Sequence, residues 1–269
     1  MRSMCTVGRL VYTLFEGEAV WGVTSLAGKI YLKTHNHLEV YDVNTYRLQS
    51  RFNVMNALGY SDMTSCEHYR CVYIGDDIDE CVHRLDAQGA ATRWAVNDIP
   101  LGLSVSAVHN VIVACPDVRK IKEFSTHGDL LRELTLPNNV ISPRHAIQTR
   151  SGQFIVCHGY HGEPIHRVCM MSADGRHIIH SHGGQPFSDT GRYSLPVHLA
   201  VDDNEFVFVV DVNNRRVTLL SPTLEYVGQV VSFDQLMGWP RRLHFDKQRR
   251  LLYVADNLET AGCVAVFSV

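Results

Sequence analysis

The 269-residue chain has no apolar run approaching the ~18 residues that a membrane-spanning helix requires. Its first residues, MRSMCTVGRLVYTLF, lack the charged segment, apolar block and small-residue cleavage site of an export signal. No N-x-[ST] acceptor occurs, and the 8 cysteines include no CxxC pair, which argues against zinc-ribbon and thioredoxin-like readings. G-x-S-x-G, the P-loop and G-x-G-x-x-G are also missing, and with them the common hydrolase, nucleotide and dinucleotide templates. A net charge of −3 provides no global attraction to nucleic acid, so any polyanion would have to be held by a local patch. These absences predict a cytoplasmic protein without membrane association.

The composition, 45% hydrophobic and 20% charged, is that of a chain able to bury a sizeable core. Cys115, Cys157 and Cys263 lie in apolar strand patterns, where free cysteine behaves as a small buried hydrophobe. Cys71 and Cys81 fall on two strands of one expected hairpin and are a candidate disulfide, with two free thiols as the alternative.

Repetition is what the chain has most of. The best-patterned stretch, 195–221, reads as a Pro, an alternating strand, an Asp-Asp-Asn turn, a strand ending in Asp, a polar turn with two Arg, and a third strand. A weaker copy occupies 239–268. Aligned on the second strand of each unit, the ladder is IYLK (30–33), VYIGD (72–76), IVAC (112–115), FIVCH (154–158), VFVVD (207–211) and LYVAD (252–256). The period of about 45 residues with four strands per unit is that of propeller blades. Helical periodicity is lacking apart from a turn near residues 233–237. The expected fold is therefore all-β, a single six-bladed propeller with blades at about 17–54, 55–98, 99–138, 139–190, 191–234 and 235–269. The sixth unit runs out before its fourth strand. Residues 8–16 supply it, and this closes the ring and covers an otherwise open strand edge.

Pro196, Leu199-Ala200-Val201-Asp202, 206–211 ending in Asp211, and Asn214-x-Arg216-Val217 together resemble the NHL repeat. The copy at 240–257 shares Pro240, Leu243, Asp246, Tyr253-Val254-Ala255-Asp256 and Asn257, while blade 4 keeps Pro143, Ala146 and Ile147. The resemblance implies six blades, an Asp211–Arg216 pair within the blade, and a protein or RNA partner. The chain shows no RING, B-box or coiled coil, so no ubiquitin-ligase role is carried over.

Propeller ligands bind where the loops entering the inner strands converge on the central channel. On that face blades 4 to 6 present Arg144, His145, His158, His161, Arg192, His198, Arg215, Arg216, Arg241 and Arg242. Blade 2 presents Asp62, Asp76, Asp77, Asp79 and Glu80, so a basic crescent is expected opposite an acidic one. Arginine forks pair bidentately with carboxylate or phosphate, and Trp21, Tyr60, Tyr160 and Trp239 offer rings nearby. A long loop on the same face is expected over 180–194. His145 and His198 share one repeat position in adjacent blades, a position where propellers resembling the peptide-amidating lyase bind zinc; the next equivalent here is Arg242. Zinc catalysis needs three protein ligands and an open site. The expectation is thus a non-catalytic, monomeric binding module without a cofactor. It holds a protein, peptide or single-stranded RNA through Arg144, His145, Arg192, His198, Arg215, Arg241, Arg242 and Trp239. A channel-metal lyase or hydrolase using His145 and His198 is the alternative.

Overall fold

A computed structural model describes residues 7–53, 62–184, 192–259 and 261–269. Strand β1 (Arg9–Gly17) is followed by a four-stranded blade of β2 (Gly22–Leu26), β3 (Lys29–Lys33), β4 (His37–Asp42) and β5 (Leu48–Asn53). Blade 2 holds β6 (Met63–Cys66), β7 (Cys71–Asp76), β8 (Cys81–Asp86) and β9 (Ala91–Ala95). Blade 3 holds β10 (Gly102–Val105), β11 (Val111–Cys115), β12 (Lys120–Phe124) and β13 (Leu130–Thr135). Blade 4 holds β14 (Pro143–Gln148), β15 (Phe154–His158), β16 (His166–Met171) and β17 (Ile178–Gly184). Blade 5 holds β18 (Pro196–Val201), β19 (Val207–Asp211), β20 (Arg216–Leu220) and β21 (Tyr226–Val231). Blade 6 combines β22 (Trp239–Asp246), β23 (Leu251–Asn257) and β24 (Gly262–Ser268) with β1 from the other end of the chain. One 3-10 turn, Phe233–Gln235, is the sole helical element among the described residues.

Ring closure takes the form that the repeat count predicts. Strand β1 pairs antiparallel with β24, from Arg9 opposite Ser268 to Gly17 opposite Gly262. Asn257 ties the joint from the inside, its amide bonding both the N–H and the carbonyl of Val20 at 2.9 Å. Each inner strand touches the next around the ring: β2, β6, β10, β14, β18, β22 and back to β2.

Local chemistry explains the blades. In blades 2 to 6 the turn between first and second strands ends in a left-handed residue: Arg70, His109, Gly152, Glu205 and Arg250. A three- or four-residue hairpin that closes this way matches the twist of its strands. Aspartates brace the turns: Asp76 Oδ1 accepts from the N–H groups of Ile78 and Asp79, and Asp202 Oδ1 from Asn204 and Phe206. Among the described residues the apolar side chains bury into six clusters, one at each blade-to-blade contact.

Two local expectations are corrected. In the β7–β8 register Cys71 pairs with Asp86 and Cys81 with Asp76, so these cysteines occupy opposite ends of the hairpin, and both are free thiols. The stretch expected as a loop from residue 180 begins as strand, with His180 and His182 of β17 paired to Met170 and Val168. Residues 185–191, like Tyr60, lie outside the described residues.

Candidate functional site at the channel mouth

The inner strands point their N-terminal ends at one mouth of the channel, and Asp62, just before β6, lies at its centre. Only 1% exposed, it reaches four other blades. Its Oδ2 accepts from the Leu103 N–H at 3.1 Å and from His198 Nε2 at 2.8 Å. His145 Nε2 is 3.5 Å from the same oxygen, and Oδ1 faces Arg242 Nε at 3.3 Å. Its backbone carbonyl accepts from the Gly75 N–H within blade 2. Burial acts to raise the Asp62 carboxyl, but the hydrogen bond from His198 and the charge of Arg242 outweigh it and hold it well below the ordinary carboxylate range.

The close approach of blades 3 and 4 depends on Gly102. A Cβ there would stand 2.4 Å from the Arg144 carbonyl oxygen and 2.9 Å from the His145 Cα. That proximity lets His145 Nε2 reach the Leu103 carbonyl at 3.0 Å. A carbonyl only accepts, so His145 carries its proton on Nε2. Burial, with His198 and Arg242 adding to it, pushes His145 down to about 3, and it stays neutral. The Leu243 N–H donates to His198 Nδ1 at 3.3 Å, which places the His198 proton on Nε2 as well, facing Asp62.

This arrangement tests the metal alternative. Asp62, His145 and His198 present ligand atoms within 4.8 Å of one another, so the fold adds the third ligand type that the two histidines lack in the sequence. Coordination through both Nε2 atoms would remove both protons. His198 would then carry N–H at Nδ1, pointing at the Leu243 N–H, donor against donor. The donor set does not fit a metal in this geometry.

Cations gather around this plug of Asp62, His145 and His198. Lys33, at the end of β3 and fully buried, is brought down to about 7, first by burial and then by Arg242, against Asp77, Asp62 and Asp76. Arg144 is brought down to about 10 by burial, Arg242 and Arg241, and its guanidinium lies over the Tyr160 ring, 4.7 Å from the centroid. Arg241 is lowered by burial and by Arg242, with Tyr160 opposing. The Nε atoms of Arg144 and Arg241 are buried without a hydrogen-bond partner among the described residues. Arg242 Nη1 donates to the Arg241 carbonyl at 3.0 Å. Beyond the plug the inner strands line a cavity of about 190 Å³, with His145 and His198 at one end and Ile147, Val201 and Lys247 toward the other.

The remaining residues of the basic face have structural surroundings. Arg215 donates from Nε to the Gly238 carbonyl at 2.7 Å and from Nη2 to the Leu236 carbonyl, and lies 5.9 Å from the Trp239 ring centroid. Arg216 pairs with Asp211 at 2.8 Å and donates to the Arg192 carbonyl. Arg192 itself is exposed. His158 is buried beside Cys169, and His161 packs edge-on against Tyr160. The acidic and basic sets are therefore not opposed crescents, because Asp62 crosses the channel and joins them. Lys33 escaped sequence reasoning; its one signal is a lysine ending the apolar strand IYLK.

No family model and no curated protein matches the chain. Solved structures do. Virginiamycin B lyase from Staphylococcus aureus is 12% identical, with a TM-score of 0.62 over 88% of this chain and 77% of that one. Hydrazine synthase from Kuenenia stuttgartiensis is 12% identical, with a TM-score of 0.66 over 92% and 96%. The Cps50 (Swd1) β-propeller domain of Myceliophteria thermophila is 11% identical, with a TM-score of 0.63 over 97% and 99%. Two of these are named as enzymes and one as a propeller domain, and at such identities the likeness establishes that this chain is a six-bladed β-propeller and leaves its ligand open.

Proposed function

We propose that this propeller is a binding module whose channel mouth holds an acidic peptide, with a carboxylate seated between Arg144 and Arg241. The observation that carries the reading is the pair of buried Nε donors on these two arginines, each lacking a partner among the described residues and each crowded by Arg242. Buried donors without partners cost stability, and an incoming carboxylate would satisfy them while relieving the mutual repulsion of the guanidinium groups. Arg242 is engaged with Asp62 and serves to hold the cluster in place.

A peptide is favoured over single-stranded RNA because RNA needs open stacking faces. Arg144 already lies over Tyr160, and Arg215 lies over Trp239. A recessed cluster also suits one projecting side chain better than a long phosphate backbone. The NHL-type reading of the repeat is supported by the Asp211–Arg216 pair. Seven free, buried thiols among the described residues support a reducing, cytoplasmic setting. The pairing of β1 with β24, which covers the outer edge of β24, supports a monomer.

The test is a salt-dependent titration of an oligoglutamate peptide and of oligouridine, using the parent protein, Arg144→Ala and Arg241→Ala. Each variant should weaken peptide binding at least ten-fold, roughly 1.4 kcal/mol, and flatten its salt dependence. Equal peptide affinity in parent and variants would sink the site. Tighter binding of oligouridine than of peptide would replace a peptide partner with RNA.

A further inference from the structure

On the same face but outside the arginine cluster, blade 2 carries a second group of side chains that the binding reading does not use. Asp76 ends β7 and Cys81 opens β8, and the two are direct partners in the antiparallel register. His83 lies two residues beyond Cys81 on the same strand, so all three side chains project from one face of the sheet. His83 Nε2 is 3.2 Å from Asp76 Oδ2 and 3.5 Å from Cys81 Sγ, and the three ligand atoms lie within 4.8 Å of one another.

We infer that Asp76, Cys81 and His83 form a binding site for a thiophilic divalent cation of the zinc class. Zinc takes sulfur at about 2.3 Å and imidazole nitrogen or carboxylate oxygen at about 2.0–2.2 Å. At tetrahedral angles these bond lengths separate sulfur from nitrogen by about 3.5 Å and nitrogen from oxygen by about 3.3 Å. The two separations that involve His83 Nε2 match those edges, and the Cys81 Sγ to Asp76 Oδ2 edge is within 4.8 Å. Asp76 is divided usefully, because Oδ1 takes the two turn N–H groups and leaves Oδ2 toward the cluster. In contrast to His198, no hydrogen bond from a backbone N–H to His83 Nδ1 is found among the described residues, and the imidazole is free to shift its proton to Nδ1. Asp76 and Cys81 are buried, while the His83 side chain is 28% exposed, which leaves a route in and a fourth position for solvent.

The proton balance is simple. The cation replaces one proton on Cys81 as the S–H bond breaks and the metal–sulfur bond forms; Asp76 binds as the carboxylate, and His83 keeps a single N–H. Metal binding therefore releases the Cys81 proton, and it should weaken as the solution is made acidic.

Cobalt(II) titration of the full, untagged, chelator-treated chain tests the site. One cobalt per chain should give tetrahedral visible bands together with a near-ultraviolet thiolate-to-cobalt band, and zinc should abolish both. Cys81→Ser should lose the thiolate band, and His83→Gln should lose the tetrahedral bands, with far-ultraviolet circular dichroism confirming that each variant is folded. A thiolate band that persists in Cys81→Ser would overturn the assignment. Cobalt bound by nitrogen and oxygen alone, the signature of Asp62, His145 and His198, would overturn it equally. So would the absence of any band at saturating cobalt.

Discussion

Asp62 shows how much one side chain can do when the fold converges on it. Five blades meet at its carboxylate or its backbone: its own, Leu103 and His145 at blades 3 and 4, His198 at blade 5 and Arg242 at blade 6. Removing one partner of a buried ion pair leaves the other charge uncompensated, at a cost of about 3–5 kcal/mol. Asp62→Ala should therefore lose about that much stability in urea unfolding, while Asp62→Asn should lose less because its amide oxygen still accepts from the Leu103 N–H. A variant as stable as the parent would show that the hub is dispensable. In the sequence Asp62 is visible as one of five acidic residues of blade 2 on this face, the one at an inner-strand entry. Nothing in local pattern tells a turn-capping aspartate such as Asp76 from one that spans the channel, because the difference lies in partners 41 to 180 residues away.

At the scale of strands and turns, far more is legible. Alternation, polar turns and a terminal half-unit are local properties, and they identify the blades and the role of residues 8–16 as the outer strand of blade 6. Deleting residues 1–16 would expose the N–H and carbonyl groups of β24 and uncover part of the contact between blades 6 and 1. The expected result is a large loss of solubility or a clearly lowered thermal midpoint, and normal folding of the truncation would contradict the closure. The exchange of a possible Cys71–Cys81 bridge for a Cys81–Asp76–His83 cluster is a matter of register: a hairpin predicted from sequence says which strands pair, not which residues stand opposite.

At the scale of the whole molecule, burial of histidines couples stability to pH. Burial pushes His145 down to about 3 and His158 and His244 to about 4, from an ordinary value of 6.5. Between those limits the unfolded chain takes up protons that the folded chain refuses, so stability falls as pH falls from about 6.5 toward 4. Each histidine contributes a slope of about 1.4 kcal/mol per pH unit within that window; the lowered carboxyl of Asp62 acts only at still lower pH. Urea midpoints measured from pH 7 to 4 should drop steeply, and a flat profile would mean that these imidazoles are not held neutral. The amino-acid sequence by itself determined the all-β class, the six repeats and the pairing of the two chain ends, because each rests on short-range periodicity. Tertiary structure alone decided that Asp62 joins the acidic and basic sets, that Lys33 is buried among them, and that Arg144 and Arg241 keep donors without partners among the described residues. Those outcomes depend on how six blades pack about one axis, and the distances across that axis are written in no single repeat.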